Sequence, residues 1–157
     1  MERITQLIAD LTEYDSIAEG LKAGKSPVEV TGLAPIHKAN LTAALAGLHK
    51  QAVVICADDL ACSRMARDLE AFSERPVEIL PAREFVFHNI ESSSREYEHK
   101  RISALRNLRL GKKTIVTTVP ALLMATMPPE KMQEAMFSID FNGEYEIEDL
   151  IQKLLLA

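Results

Sequence analysis

Apolar positions along this chain fall alternately at helical and at strand spacing. Ile4, Leu7, Ile8 and Leu11, followed by Ile17 and Leu21, recur three or four residues apart, which predicts an amphipathic helical start interrupted near Tyr14-Asp15-Ser16. Lys22 to Pro27 supplies a turn. Val28 to Thr31 reads as a short buried strand, Gly32 to Ile36 as a turn that accommodates Pro35, and Lys38 to His49 as a helix with Leu41, Leu45 and Leu48 on one face. The grammar then repeats. Ala52 to Cys56 is a β-branched strand, and Asp58 or Asp59 can cap a helix running to about Phe72 with Leu60, Met65, Leu69 and Phe72 as its inner face. Val77 to Leu80 is a third strand, ended by Pro81.

Ala82 to Ser93 carries Phe85, Phe87 and His88 without periodicity. A connection of that length is more often functional or docked than idle. Ser94 opens a helix to about Leu110, closed by Gly111, and Thr114 to Val119 is a strand ending at Pro120, with Ala121 to Thr126 as a helical turn. Strand and helix units in this order imply an α/β domain with a mostly parallel sheet flanked by helices. Met127-Pro128-Pro129 breaks the chain. Beyond it Glu130 to Met136 reads as helix, Phe137 to Phe141 as strand, Asn142-Gly143 as turn and Ile147 to Leu156 as helix, the start of a second small α+β domain. The predicted division is 1–126 and 127–157.

With 157 residues and 47% apolar composition, the chain can bury a full core. The net charge of −5 argues against a dedicated nucleic-acid-binding domain, although a local basic stripe remains compatible with it. Cys56 and Cys62 stand alone, so neither a zinc site nor a secreted disulfide framework is expected. Met1 to Asp10 lacks a signal-peptide pattern and no apolar run approaches 18 residues, which suggests a cytoplasmic protein with no membrane contact. The chain ends on Leu154-Leu155-Leu156-Ala157 without a capping signal, as a piece of something longer would.

Candidate chemistry begins at Gly32 to Asn40. A phosphate-binding loop reads GxxxxGK[ST]: backbone amides cradle phosphate, the Lys reaches its charge and the hydroxyl ligates Mg²⁺. Gly32 and Lys38 keep that spacing, but His37 replaces the second glycine and Ala39 the hydroxyl residue. The strand-turn-helix setting favours the loop; the two replacements remove its catalytic use. Hydrolysis also needs a carboxylate after a later strand. Asp58 and Asp59 stand there, yet helix capping is the commoner task for Asp at such a place.

A second candidate is the helix after Ser94, where Arg95, His99, Arg106 and Arg109 project onto one stripe. Such a stripe can track phosphates. Glu96 and Glu98 nearby also fit an ordinary solvated face. Arg101 projects onto the apolar side with Tyr97, Ala104, Leu105 and Leu108, where a guanidinium must be paired or reach an edge; Glu84 is a candidate structural partner. His37, His49, His88 and His99 form no i, i+4 metal pair, and no nucleophilic triad can be assembled by motif. No catalytic residue, metal or cofactor is expected.

The order of these segments resembles the N-terminal region of the bacterial transcription-repair coupling factor family (Mfd), itself similar to the nucleotide excision repair helicase UvrB. The matching pieces are Thr31-Gly32 to Asn40, Val53 to Asp58, Leu80-Pro81-Ala82 with Glu84, and the helix carrying Arg101, Leu105 and Leu108. They continue with Ile115 to Leu123, the Pro128-Pro129 break and the last twenty residues. The resemblance implies a RecA-like, P-loop-like first domain whose P-loop is degenerate, followed by the opening of the UvrA-contacting second domain.

Family members often carry Trp at the position of Arg83 and a Pro-Tyr pair near Phe87 and His88, which leaves that loop without an assigned role. The segment Phe85 to Ser94 is too short for the DNA-clamping β-hairpin of UvrB. By resemblance, the chain is a non-catalytic interaction module for DNA repair that helps recruit UvrA to RNA polymerase stalled at damage. The ATP-driven DNA translocase motor and the RNA polymerase and DNA contacts belong to other parts of the full-length family protein. The family's UvrA-contacting residues fall mostly past Ala157, so none is assigned here. An incomplete second domain would expose apolar faces, and dimerisation is expected. The alternative is a divergent nucleotide-binding domain in which Lys38 holds phosphate or ATP without hydrolysis.

Overall fold

A computed structural model describes residues 8, 10–49, 51–82 and 96–156. The chain divides into two compact units, Met1–Met124 and Ala125–Ala157.

In the first unit, helix α1 (Thr12–Lys22) and helix α2 (Pro35–Gly47) precede strand β1 (Ala52–Cys56). Helix α3 (Asp59–Phe72), strand β2 (Val77–Leu80), helix α4 (Glu96–Leu110), strand β3 (Thr114–Thr118) and the short helix α5 (Val119–Leu123) follow. The three strands are parallel in the order β1-β3-β2, with Val54 and Ile79 both opposite Val116. A parallel sheet needs cover on both faces, and adjacent residues of the central strand mark the two layers. Val116 packs with Ala43 of α2 and with Cys62, Ala66 and Leu69 of α3. Ile115 points the other way, onto Leu80 and Ala104, with Leu105 and Leu108 of α4 against them. All five residues of β3 are buried.

The α/β class and the expected strands at 52–56 and 77–80 agree with the pattern in the sequence; the central strand ends at Thr118, one residue earlier than expected. Helix ends have visible causes. Asp58 caps α3 by accepting from the Ala61 amide at 2.7 Å. Gly111, at φ +63°, closes α4: its amide reaches the Leu108 carbonyl, and the Lys112 amide reaches Asn107, a left-handed cap that favours glycine.

Several expectations need correction. Val28 to Thr31 is not a strand: it is exposed and joins no ladder among the described residues. Alternating Val28 and Val30 gave the strand pattern, but a strand forms only with a partner edge. The face expected at Leu41, Leu45 and Leu48 is not the one α2 buries: Ala39, Ala43 and Ala46 are buried, Leu41 and Leu45 are half-buried, and Leu48 is exposed beyond the helix end. In α3 the buried residues are Cys62, Ala66 and Leu69, while Leu60, in the first turn, is 60% exposed. The expected starting residues Ile4 and Leu7 and the aromatic loop Phe85, Phe87 and His88 lie outside the described residues.

The second unit holds helix α6 (Pro129–Ala135) and helix α7 (Ile147–Leu156). Phe137 to Phe141, expected as a strand, is irregular, since no strand in the described part of this unit offers it a ladder. Asn142-Gly143 does turn, with the Gly143 amide on the Asp140 carbonyl and the Tyr145 hydroxyl accepting from the Asp140 amide. Ile147, Ile151 and Leu154 form one exposed apolar stripe on α7.

Candidate functional site

The segment with the strongest motif content, Gly32 to Asn40, folds as an extended approach to α2. Gly32 has φ +80°, a backbone state that explains glycine there. The helix starts at Pro35, which has no N–H to offer, and the Lys38 amide is consumed by the Ala34 carbonyl at 3.0 Å. Lys38 therefore sits one turn inside the helix, not at an open nest of amides. His37 and Lys38 are exposed, whereas Ala39 is fully buried against the core. The position that carries a Mg²⁺-binding hydroxyl in a working loop faces the protein interior here.

Parallel α/β sheets usually take ligands at the carboxyl ends of their strands. In this sheet those ends are spent on structure. Asp58 caps α3, Thr118 caps α5 through the Ala121 amide, and Thr117 Oγ1 donates to the Leu80 carbonyl at 2.9 Å. Arg101 of α4, 8% exposed, closes the same end. Its Nη1 donates to the Pro81 carbonyl at 3.0 Å, and its Nη2 donates to Ala121 at 2.9 Å and Met124 at 3.5 Å. Tyr97 adds its hydroxyl to the Pro81 carbonyl at 2.9 Å. Arg101 thus ties the ends of β2 and α5 to α4 through carbonyl oxygens; Glu84, its candidate partner, lies outside the described residues.

His99, Arg106 and Arg109 are exposed along one side of α4, with Ile102 among them; Arg95 lies outside the described residues. Glu96 pairs instead with Lys100 at 2.7 Å, and that ammonium's hydrogen bond and charge lower the Glu96 carboxyl below its ordinary range.

A polar cluster missed by motif reading lies under α4. Glu78 of β2 accepts from Ser103 Oγ at 2.6 Å, Asn107 Nδ2 at 2.7 Å and Lys113 Nζ at 3.1 Å. Burial pushes its carboxyl upward, but the three hydrogen bonds and the Lys113 charge outweigh that and hold it below the ordinary range. A carboxyl lowered by folding adds stability above its unfolded pKa of about 4.3, and loses it as pH falls through the lower folded value. Glu78→Gln is expected to cost about 1 kcal/mol at pH 7 and to make the urea midpoint less sensitive to pH between 5 and 3 than in the parent. An unchanged pH profile would remove Glu78 as its source.

Cys56 and Cys62 meet in the core cluster beneath α3. Burial first, and then neighbouring Cys56, push the Cys62 thiol up to about 12, so it packs as a neutral side chain and not as a nucleophile. Sequence reasoning also passed over Arg75 and Gln51, which with Arg109 line a depression at the amino edge of the sheet. No motif marks them, because the depression is assembled from three separate chain segments. Among the described residues, no helix is long and apolar enough to cross a membrane.

Fold and site together define a small parallel α/β domain with three described strands, in which Ala39 packs into the core while Gly32 and Ala34 to Lys38 before it are exposed, followed by a compact helical unit. The chain is similar to a transcription-repair-coupling factor of Bacillus subtilis (strain 168), with 24% identity over 158 aligned residues that cover 99% of this chain. It spans 13% of that relative's length. No protein-family model matches the sequence, and no solved structure matches it. The alignment supports a relation of this chain to transcription-repair coupling factors.

Proposed function

We propose that this chain is a non-catalytic interaction module of a cytoplasmic transcription-repair coupling factor, similar to the RecA-like first domain of UvrB, and that it contributes to recruiting UvrA to RNA polymerase stalled at DNA damage. The observation that carries the reading is an alignment running through 99% of the chain. Burial of Ala39 and the loss of the Pro35 amide support the absence of hydrolysis. In this reading Met1–Met124 is the UvrB-like domain, and Ala125–Ala157 opens the unit that contacts UvrA. The motor, RNA polymerase and DNA contacts of the whole factor lie elsewhere.

Immobilised UvrA should retain a chain extended by about 60 residues, a length that completes a small second domain. The 157-residue chain should be retained less well. If the extended chain also passes through unretained, the recruiting role loses its content.

A further inference from the structure

Strand β1 ends the described sheet: β3 pairs with one of its edges, and no backbone hydrogen bond reaches the other among the described residues. Its two faces differ. Val54 and Cys56 pack into the core beneath α3, whereas Val53 and Ile55, in register with Ile115 and Thr117 of β3, lie on the face that α4 covers at β2 and β3. Val53 is 44% exposed and Ile55 56%. Val28 to Thr31, which alternates as a strand would, does not fill the edge: it is exposed and joins no ladder among the described residues. A sheet edge is normally blunted by charge, proline or a bulge, because its unpaired N–H and C=O groups template another strand. Ala52-Val53-Val54-Ile55-Cys56 has none of these, and its register with β3 is unbroken. β2, at the opposite end of the sheet, is better protected, since none of its residues is exposed and Glu78 places a carboxylate within it.

We propose that β1 pairs antiparallel with β1 of a second copy of this chain, across a two-fold axis at Val54, joining the two sheets edge to edge. The strand is self-complementary in that register. Antiparallel partners directly opposite one another share a face. Val53 then meets the partner's Ile55, and Ile55 meets the partner's Val53, so the two exposed apolar side chains of the strand are set against each other twice. A parallel pairing about a two-fold turns one sheet over, and the same side chains would lie on opposite faces. The flanks favour the antiparallel direction as well: His49 and Lys50 precede the strand and Asp58 and Asp59 follow it, so basic ends come to acidic ends instead of like to like. Five residues a side bury less than a standard interface of about 1,600 Å², so the dimer is weak, with Kd of about 10–100 µM. This contact rests on β1 alone, and the UvrA reading neither supports it nor needs it.

The test is sedimentation velocity of the 157-residue chain over concentrations that span that Kd, where the average mass should rise from that of one chain toward that of two. Val53→Lys and Ile55→Glu, both at exposed positions, should each weaken self-association at least about tenfold, because a charge is left against an apolar side chain on the pairing edge. Mixed in equal amounts, the two variants should associate to within about threefold of the parent. The register sets the introduced ammonium against the introduced carboxylate at one contact and keeps Ile55 against Val53 at the other. Leu154→Gln, on the exposed stripe of α7, should change nothing. Circular dichroism melts matching the parent establish that the variants are folded. Hydrogen exchange of the parent, which needs no substitution, should slow at amides within Ala52–Cys56 as concentration rises. A chain that stays monomeric throughout overturns the proposal, as does a dimer that both β1 variants leave at parental strength or that Leu154→Gln dissociates. Single variants that dissociate and do not recover on mixing overturn the antiparallel register.

Discussion

Arg101→Ala is expected to lower stability by about 3–4 kcal/mol, which moves the urea midpoint down by about 1.5 M for a domain of this size. The guanidinium donates to the carbonyls of Pro81, Ala121 and Met124, and it is almost wholly buried. Removing it leaves those oxygens without their charged donor at the point where the ends of β2, β3 and α5 meet α4. Some of the loss is returned, because the variant no longer desolvates a charge. Arg101→Lys should recover only part of the stability, since one ammonium cannot reproduce a planar fork spread over several acceptors. Chemical unfolding followed by circular dichroism reads both variants. A midpoint for Arg101→Ala within about 0.3 M of the parent would show that Arg101 is a passenger of α4 and not its clamp.

Much of this architecture was legible in the sequence where local chemistry and tertiary packing agree. The Asp58-Asp59 pair announced the start of α3, with Asp58 as the cap, and Gly111 the end of α4, because capping is decided by one residue and its immediate backbone. The central strand Thr114–Thr118 was visible as a β-branched run, and its complete burial explains the lack of polar alternation. Arg101 was recognisable as a charge on an apolar face, although its carbonyl partners come from residues 20 or more positions away and no spacing rule reaches them. What misled was size and partnership. Leu41, Leu45 and Leu48 marked one face of α2, but the residues it buries are Ala39, Ala43 and Ala46. Val28 to Thr31 and Phe137 to Phe141 alternate well enough, yet a strand is a property of a pair, and the partner edge is not written in the segment itself.

The site followed the same division. The GxxxxGK-like spacing from Gly32 to Lys38 was readable in one line of sequence, and that spacing suggested phosphate. Position inside the fold assigns the residues differently: Lys38 is one turn into α2, and Ala39 is a packing residue. Arg75 and Gln51 carry no motif, because they reach the same depression as Arg109 from separate chain segments. A motif therefore drew attention to one segment, and a concavity assembled from separate segments left no mark in the sequence.

Ala39→Thr, which restores the hydroxyl of a working phosphate loop, is expected to destabilise the chain by about 2 kcal/mol and to bring no nucleotide binding. Ala39 is fully buried, so the added methyl and hydroxyl must displace neighbours in the core. The hydroxyl can bond back to the Pro35 carbonyl four residues earlier, which lessens the cost of burying it without turning it toward solvent. Equilibrium titration of labelled ATP, with and without Mg²⁺, should stay flat at this loop for the parent, for Ala39→Thr and for Lys38→Ala alike. Urea unfolding of Ala39→Thr reads the stability change independently of ligand. Should Ala39→Thr prove as stable as the parent and bind ATP saturably in a Lys38-dependent way, the segment would be a live phosphate site lacking one oxygen. A destabilised variant that leaves the titration flat would trace the absence of nucleotide binding at this segment to the path of the backbone: Pro35 withdraws an amide, the helix begins before Lys38, and position 39 belongs to the core.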